Sequence, residues 1–249
     1  MSRYIKHTSC SNCGSSDANA LYEDGSQYCF SCGFYKSSKV SPYVFKPREE
    51  QEDVVRLPDD VTKDYNRDAV LWAQKYGITI SDMLSCPNPI WYSPNRNQLI
   101  FSWNDDTGKT IAWQARNLNK DTPKSKRYYT KGDVNSLLPI YKCSSIQSKC
   151  CVLVEDCLSA MKCSKVDLNG LGCDAMPLLG SGITNKKLSA LRALYGALIV
   201  FLDPDMFHKA VDIANRAKML GFWARVIKVD CDPKELSYHD LKEKLNETD

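Results

Sequence analysis

Two paired cysteine turns, Cys10-x-x-Cys13 and Cys29-x-x-Cys32, stand fifteen residues apart and constrain this chain more than any other feature. The segment around them, residues 1–36, is rich in Cys, Ser, Gly and Asn and short of aliphatic side chains. It needs a staple in place of a core. A CxxC turn sets two thiolates on one side of a metal, and two such turns complete a tetrahedral site. Gly14 and Gly33 follow the two turns where the chain must bend back, and Asp24-Gly25 between them is a hairpin signal. The spacing predicts a zinc-ribbon-like module over residues 1–36, with Cys10, Cys13, Cys29 and Cys32 holding one structural Zn2+. His7 is a spare ligand at most, since four thiolates suffice.

Twelve cysteines in 249 residues raise the alternative of a disulfide scaffold. The opening residues Met1 to Lys6 lack the apolar core of a signal peptide, so a reducing cytoplasm is the expected setting. Cys143, Cys150, Cys151, Cys157, Cys163 and Cys173 fit no metal spacing and read as small buried hydrophobes. No apolar run approaches the ~18 residues that span a bilayer, so no membrane partner is expected. A net charge of +3 leaves room for a nucleic-acid surface only as a local patch.

Residues 37–58 have linker composition, with prolines, serines and the charge run Arg48 to Asp53. Beyond them the pattern predicts a helix over 64–76 closed by Gly77, and a second short helix capped by Ser81. Strands are expected over 98–103 and 110–118, joined by the turn Asn104-Asp105-Asp106-Thr107-Gly108. From Cys150 short apolar runs alternate with helical stretches: a strand over 151–154, a helix over 157–165, an apolar run over 176–179 and a helix over 185–195. A strand over 197–202, a helix over 207–220 and a last strand over 225–229 follow. This alternation predicts an α/β fold with a mainly parallel sheet, divided into a basic subdomain at 59–148 and a second subdomain at 149–249.

Glu155 ends the first of these strands, and Asp203 and Asp205 follow the strongest one. In an open parallel sheet ligands gather at the carboxyl ends of strands. Three acids converging there are expected to hold Mg2+ or Mn2+, hard cations that take oxygen ligands and serve phosphoryl transfer. Asp232, after the last strand, is a fourth candidate. Upstream, Lys120, Lys124, Lys126, Arg127 and Lys131 cluster beside Tyr128 and Tyr129, and Gln114 and Arg116 share one face of the preceding strand. Cations interleaved with aromatic rings can hold phosphates and stack bases, although such a run is often only a solvated face.

The order apolar strand–Glu155, then the turn Leu179-Gly180-Ser181-Gly182, then apolar strand–Asp203-x-Asp205–helix, resembles the TOPRIM domain of bacterial-type primases and topoisomerases. Asp156 and Phe207-His208 depart from the residues common in that family. With Ile111 to Arg116, Lys126 to Tyr129 and the four-cysteine segment, nearly the whole chain resembles the primase half of the primase–helicases of short-tailed bacteriophages. The resemblance implies a zinc-ribbon-like module tethered to a TOPRIM-containing polymerase domain. It implies synthesis of short RNA primers from ribonucleoside triphosphates on single-stranded DNA, with a replicative helicase and a DNA polymerase as partners in the host cytoplasm. It makes Glu155, Asp203 and Asp205 the metal-binding acids, and Arg116, Lys126 and Arg127 nucleotide or template contacts. The stretch Asp24 to Tyr28 lacks the histidine that the family can use in template reading, so no recognised trinucleotide is carried over. No GxxxxGK[ST] loop is present, and a helicase half is therefore expected on another chain or a removed segment. A metal-dependent nuclease and a non-catalytic single-stranded DNA adaptor are the competing readings.

Overall fold

The computed structural model describes residues 2–37, 55–134, 137–143, 148–168, 171–180 and 182–247. The chain divides into two compact units, Met1–Glu52 and Asp53–Asp249.

In the first unit four short strands, β1 (Tyr4–Thr8), β2 (Asn19–Tyr22), β3 (Gln27–Cys29) and β4 (Tyr35–Lys36), form an antiparallel meander in chain order. The β2–β3 connection is the expected tight turn, closed by Tyr22 N–H on the Ser26 carbonyl, with Gly25 at φ 79°. The two cysteine turns are built alike. Gly14 N–H bonds the Cys10 carbonyl at 3.0 Å, and Gly33 N–H bonds the Cys29 carbonyl at 2.9 Å. Both glycines sit at φ 70°, a left-handed conformation that a side chain would strain.

In the second unit, α1 (Arg67–Gln74) and α2 (Ile80–Leu84) precede the antiparallel sheet of β5 (Ile90–Ser93), β6 (Gln98–Asn104), β7 (Thr110–Asn117) and β8 (Tyr128–Gly132). Asn66 caps α1 by accepting from Ala69 N–H. Thr79, not Ser81, caps α2, in a reciprocal box with Asp82. Val55 and Leu57, within the stretch of linker composition, pack beside Ile100 and Trp113, and the Trp113 indole donates to the Arg56 carbonyl. Residues 38–54 of that stretch lie outside the described residues.

The parallel sheet follows, with strand order β12 (Asp174–Pro177), β9 (Cys150–Val154), β13 (Ala197–Val200) and β14 (Trp223–Val226). A small ladder, β10 (Asp167–Leu168) with β11 (Leu171–Gly172), lies between β9 and β12 in sequence. The helices are α3 (Cys157–Cys163), α4 (Asn185–Arg192), α5 (Phe207–Met219) and α6 (Tyr238–Asn246). The last strand begins two residues before the expected start and ends at Val226. The apolar residues of β9 alternate between two cores: Val152 and Val154 pack with α3, Cys151 and Leu153 with α4 and α5. Cys151, Cys157, Cys163 and Cys173 are buried as expected, whereas Cys143 and Cys150 are only partly so. The strand order runs outward in opposite directions from the adjacent pair β9 and β13, which makes their carboxyl ends the switch point of the sheet.

Candidate metal cluster and acidic cavity

The four thiols of the first unit converge. The Cys10 and Cys32 sulfurs lie 3.9 Å apart, those of Cys13 and Cys29 lie 3.8 Å apart, and all four fall within 4.8 Å of one another. A tetrahedron with metal–sulfur bonds of about 2.3 Å has edges of about 3.8 Å, so the donors are spaced to hold one ion. Asn12 braces the cluster: its N–H lies 3.4 Å from the Cys10 sulfur and its amide nitrogen 3.6 Å from that of Cys32. His7 stands outside this group of four, and its Nδ1 lies 2.7 Å from the Asp17 carbonyl.

In the second unit a cavity of about 500 Å³ opens at the switch point. Glu155 and Asp203 reach it just beyond the ends of β9 and β13. From the antiparallel sheet come Gln114 and Arg116 on β7, Tyr128 and Thr130 on β8, and Arg127 between them. Register explains the meeting: Arg116 pairs with Tyr128 and Gln114 with Thr130 across the β7–β8 ladder, so all four side chains face one way. The Gln114 amide donates to Thr130 Oγ1 at 3.2 Å, and the Arg127 Nε donates to the Thr122 carbonyl at 3.2 Å. The Arg116 guanidinium is stacked between Tyr128 and Trp72 of α1.

Asp232 closes the cavity from the turn after β14, together with two residues that sequence reasoning passed over in this role, Asp156 and Lys234. The Lys234 ammonium lies 2.9 Å from an Asp156 carboxylate oxygen and 2.6 Å from one of Asp232. Burial works against this charge, but Asp156 and Asp232 outweigh it and hold the ammonium pKa above that of free lysine. Asp156 also caps α3, accepting from Leu158 and Ser159 N–H at 2.9 and 3.1 Å. The departure at Asp156 thus has a local role in capping α3 and holding Lys234.

The other two acids, Glu155 and Asp203, take no side-chain hydrogen bond or ion pair among the described residues. Asp203 Oδ1 is buried with no hydrogen-bond partner. Burial, reinforced by Glu155 and Asp232 and opposed by Lys234, pushes the Asp203 carboxyl up to about 8. Burial likewise raises Glu155, with Asp156 and Asp205 adding to the effect. Carboxylates raised by desolvation and mutual repulsion, one with an orphaned oxygen, are the donor set a divalent cation satisfies. Leu179 on the cavity wall holds a left-handed φ of 58°, local strain beside the acids.

Two expected residues stand apart. The chain leaves β13 at Val200 and enters a 3-10 turn at Pro204–Met206, so strand alternation does not carry both aspartates inward. Asp203 lines the cavity, while Asp205 is exposed outside its wall. Lys126 is exposed and also outside the wall. His208 is exposed on the first turn of α5. Of the glycine-flanked turn, Ser181 lies outside the described residues.

No family model matches the chain, and no curated protein matches it in sequence. Solved structures do. The primase fragment of the bacteriophage T7 primase–helicase superposes with a TM-score of 0.54 at 18% identity, over 97% of this chain and 98% of that one. The zinc-binding and RNA polymerase domains of Aquifex aeolicus primase superpose with a TM-score of 0.51 at 15% identity, over 98% of this chain and 79% of that one. The chain has a primase fold. That primase fold runs through both units, the four-cysteine meander as well as the two sheets around the cavity. Among the described residues no helix is long and apolar enough to cross a membrane.

Proposed function

We propose that the chain is a DNA primase that makes short RNA primers on single-stranded DNA from ribonucleoside triphosphates. One observation carries this reading: the bare acids Glu155 and Asp203 share a cavity with the cations Arg116 and Arg127 and the ring of Tyr128. A nuclease would use the same acids on a phosphodiester; cations and a ring beside them suit a triphosphate and its base. The primase fold supports the same choice.

Glu155 and Asp203 would hold the catalytic divalent ion, Mg2+ or Mn2+, while Asp205 stands outside the cavity wall and Asp232 is taken up by Lys234. Such an ion supplies acidification of a hydroxyl and compensation for charge on a leaving pyrophosphate. Arg116 and Arg127 would bind the triphosphate, and Tyr128 and Trp72, against the faces of the Arg116 fork, leave its N–H edge for the phosphates. Gln114, fixed by Thr130, offers its amide to ribose or template. The bond formed joins the 3′-oxygen of one nucleotide to the α-phosphorus of the next, and the α–β phosphoanhydride breaks. Lys126, with the exposed Lys120 and Lys131, would contact the single-stranded template. Cys10, Cys13, Cys29 and Cys32 would hold a structural Zn2+, so that the first unit presents its exposed rings, Tyr28, Phe30 and Tyr35, to template bases. A helicase and a DNA polymerase would be its partners, in the cytoplasm of a bacteriophage host.

Incubation with labelled ribonucleotides, Mg2+ or Mn2+ and a panel of single-stranded templates tests the reading. Template-dependent oligoribonucleotides are expected. Cleavage of the template without synthesis would establish the nuclease instead, and binding with neither reaction would establish the adaptor.

A further inference from the structure

The acids of the cavity fall into two unlike halves. Asp156 and Asp232 share the Lys234 ammonium at 2.9 and 2.6 Å. Among the described residues the Glu155 carboxylate takes no hydrogen bond or ion pair, and Asp203 Oδ1 is buried without a partner. We propose that Lys234 is a positioning residue, a resident monovalent cation that fills the Asp156–Asp232 half and confines divalent metal to the Glu155–Asp203 half. The inference rests on the polymerase-centre reading and adds to it a count of divalent ions set by one lysine.

The geometry supports a fixed cation rather than a passing surface pair. The Lys234 side chain is 12% exposed and its ammonium stands 5.9 Å from the Tyr76 ring centre. Its backbone is held as well. Lys162, itself buried, donates its ammonium hydrogens to the carbonyls of Lys234 and Leu236. The turn Pro233–Glu235 is therefore anchored from beneath, and Lys234 has little freedom to swing out. An ammonium bonded to an oxygen of each carboxylate competes directly with a divalent ion for those atoms, because Mg2+ requires oxygens at about 2.0–2.1 Å in near-octahedral array. The bare half offers no such competitor. A divalent ion arriving in the cavity meets two unsatisfied carboxylates there and, opposite, two that already share one ammonium.

Binding of Mn2+ to the full-length zinc-loaded protein, followed by electron paramagnetic resonance without nucleotide or template, tests this apart from synthesis. Lys234→Met keeps the length of the side chain and removes its charge. It is expected to bind one more Mn2+ per chain than wild type, and Asp232→Asn in that background is expected to abolish the gain. Lys234→Arg, which restores a cation, should return the wild-type count. Lys234→Gln keeps N–H donors for both carboxylates and serves if the Met variant fails to fold; it should gain the same ion. An unchanged Mn2+ count in a folded Met or Gln variant overturns the inference while leaving the polymerase centre standing. Absence of any Mn2+ binding in wild type refutes the metal centre itself, and the inference with it.

Discussion

The Arg116 guanidinium lies 4.8 Å from the ring centre of Tyr128, its cross-strand partner on β8, with the Trp72 ring 5.4 Å away on the other element. A planar cation stacked in this way keeps its fork aimed into the cavity, and a lysine ammonium cannot reproduce it. Arg116→Lys is therefore expected to raise the KM for ribonucleotides about tenfold, the loss of one charge-assisted contact of ~1.4 kcal/mol. Thermal stability should change little. Steady-state synthesis assays across a nucleotide titration check this, and an unaltered KM would remove Arg116 from the triphosphate site.

Asp203 gives a prediction in the opposite direction for stability. Its folded pKa of about 8 lies above the value near 4 that it has unfolded. The folded chain therefore binds the extra proton between those values, and metal-free stability falls as pH rises from about 4 to about 8. Asp203→Asn should flatten that slope. With the half-exposed position discounted for solvent screening, the gain at pH 8 is about 1–2 kcal/mol. Mg2+ should stabilise wild type and have little effect on the variant. Urea unfolding at several pH values, with and without Mg2+, measures all three.

Asp156 serves two partners that substitution can separate. Alanine removes both the α3 cap and the Lys234 ion pair, and asparagine keeps the capping oxygen. Asp156→Ala should cost about 2 kcal/mol, and Asp156→Asn about half of that. Equal losses would show that the cap contributes nothing.

Among the described residues the first unit has no staple other than its cysteines. Chelation should unfold the strands Tyr4–Lys36 while the second unit keeps its own thermal transition, since few aliphatic side chains remain to hold the meander. Amide spectra recorded before and after chelator addition would show resonances of residues 2–37 collapsing selectively. Metal analysis should return one zinc per chain.

The legible parts of the fold were those with short-range spacing. Two CxxC turns, an apolar strand ending in Glu155 and another leading to Asp203 all announce themselves within a few residues. The missed parts depend on distance along the chain. Lys234 meets Asp156 across 78 positions, and Trp72 reaches Arg116 from another element; neither leaves a local pattern. Asp205 was expected to converge with Asp203, but the strand already ends at Val200 and a 3-10 turn starts at Pro204, so strand alternation governs neither aspartate. The start of β14 was misplaced because Trp223 and Arg225 lie on an edge strand and are partly exposed, so the segment lacks the apolar run that marks β13. Thr79, by contrast, stood in plain view, three residues before Asp82 in a capping box.

The central claim is that Glu155 and Asp203 serve nucleotide joining. Single-turnover formation of a labelled diribonucleotide on single-stranded DNA, compared between wild type and Asp203→Ala, tests it most directly. Wild type should form the dinucleotide with Mg2+ or Mn2+, and Asp203→Ala should lose at least about a thousandfold in rate while still binding DNA. Synthesis at the wild-type rate in the folded variant would contradict the account.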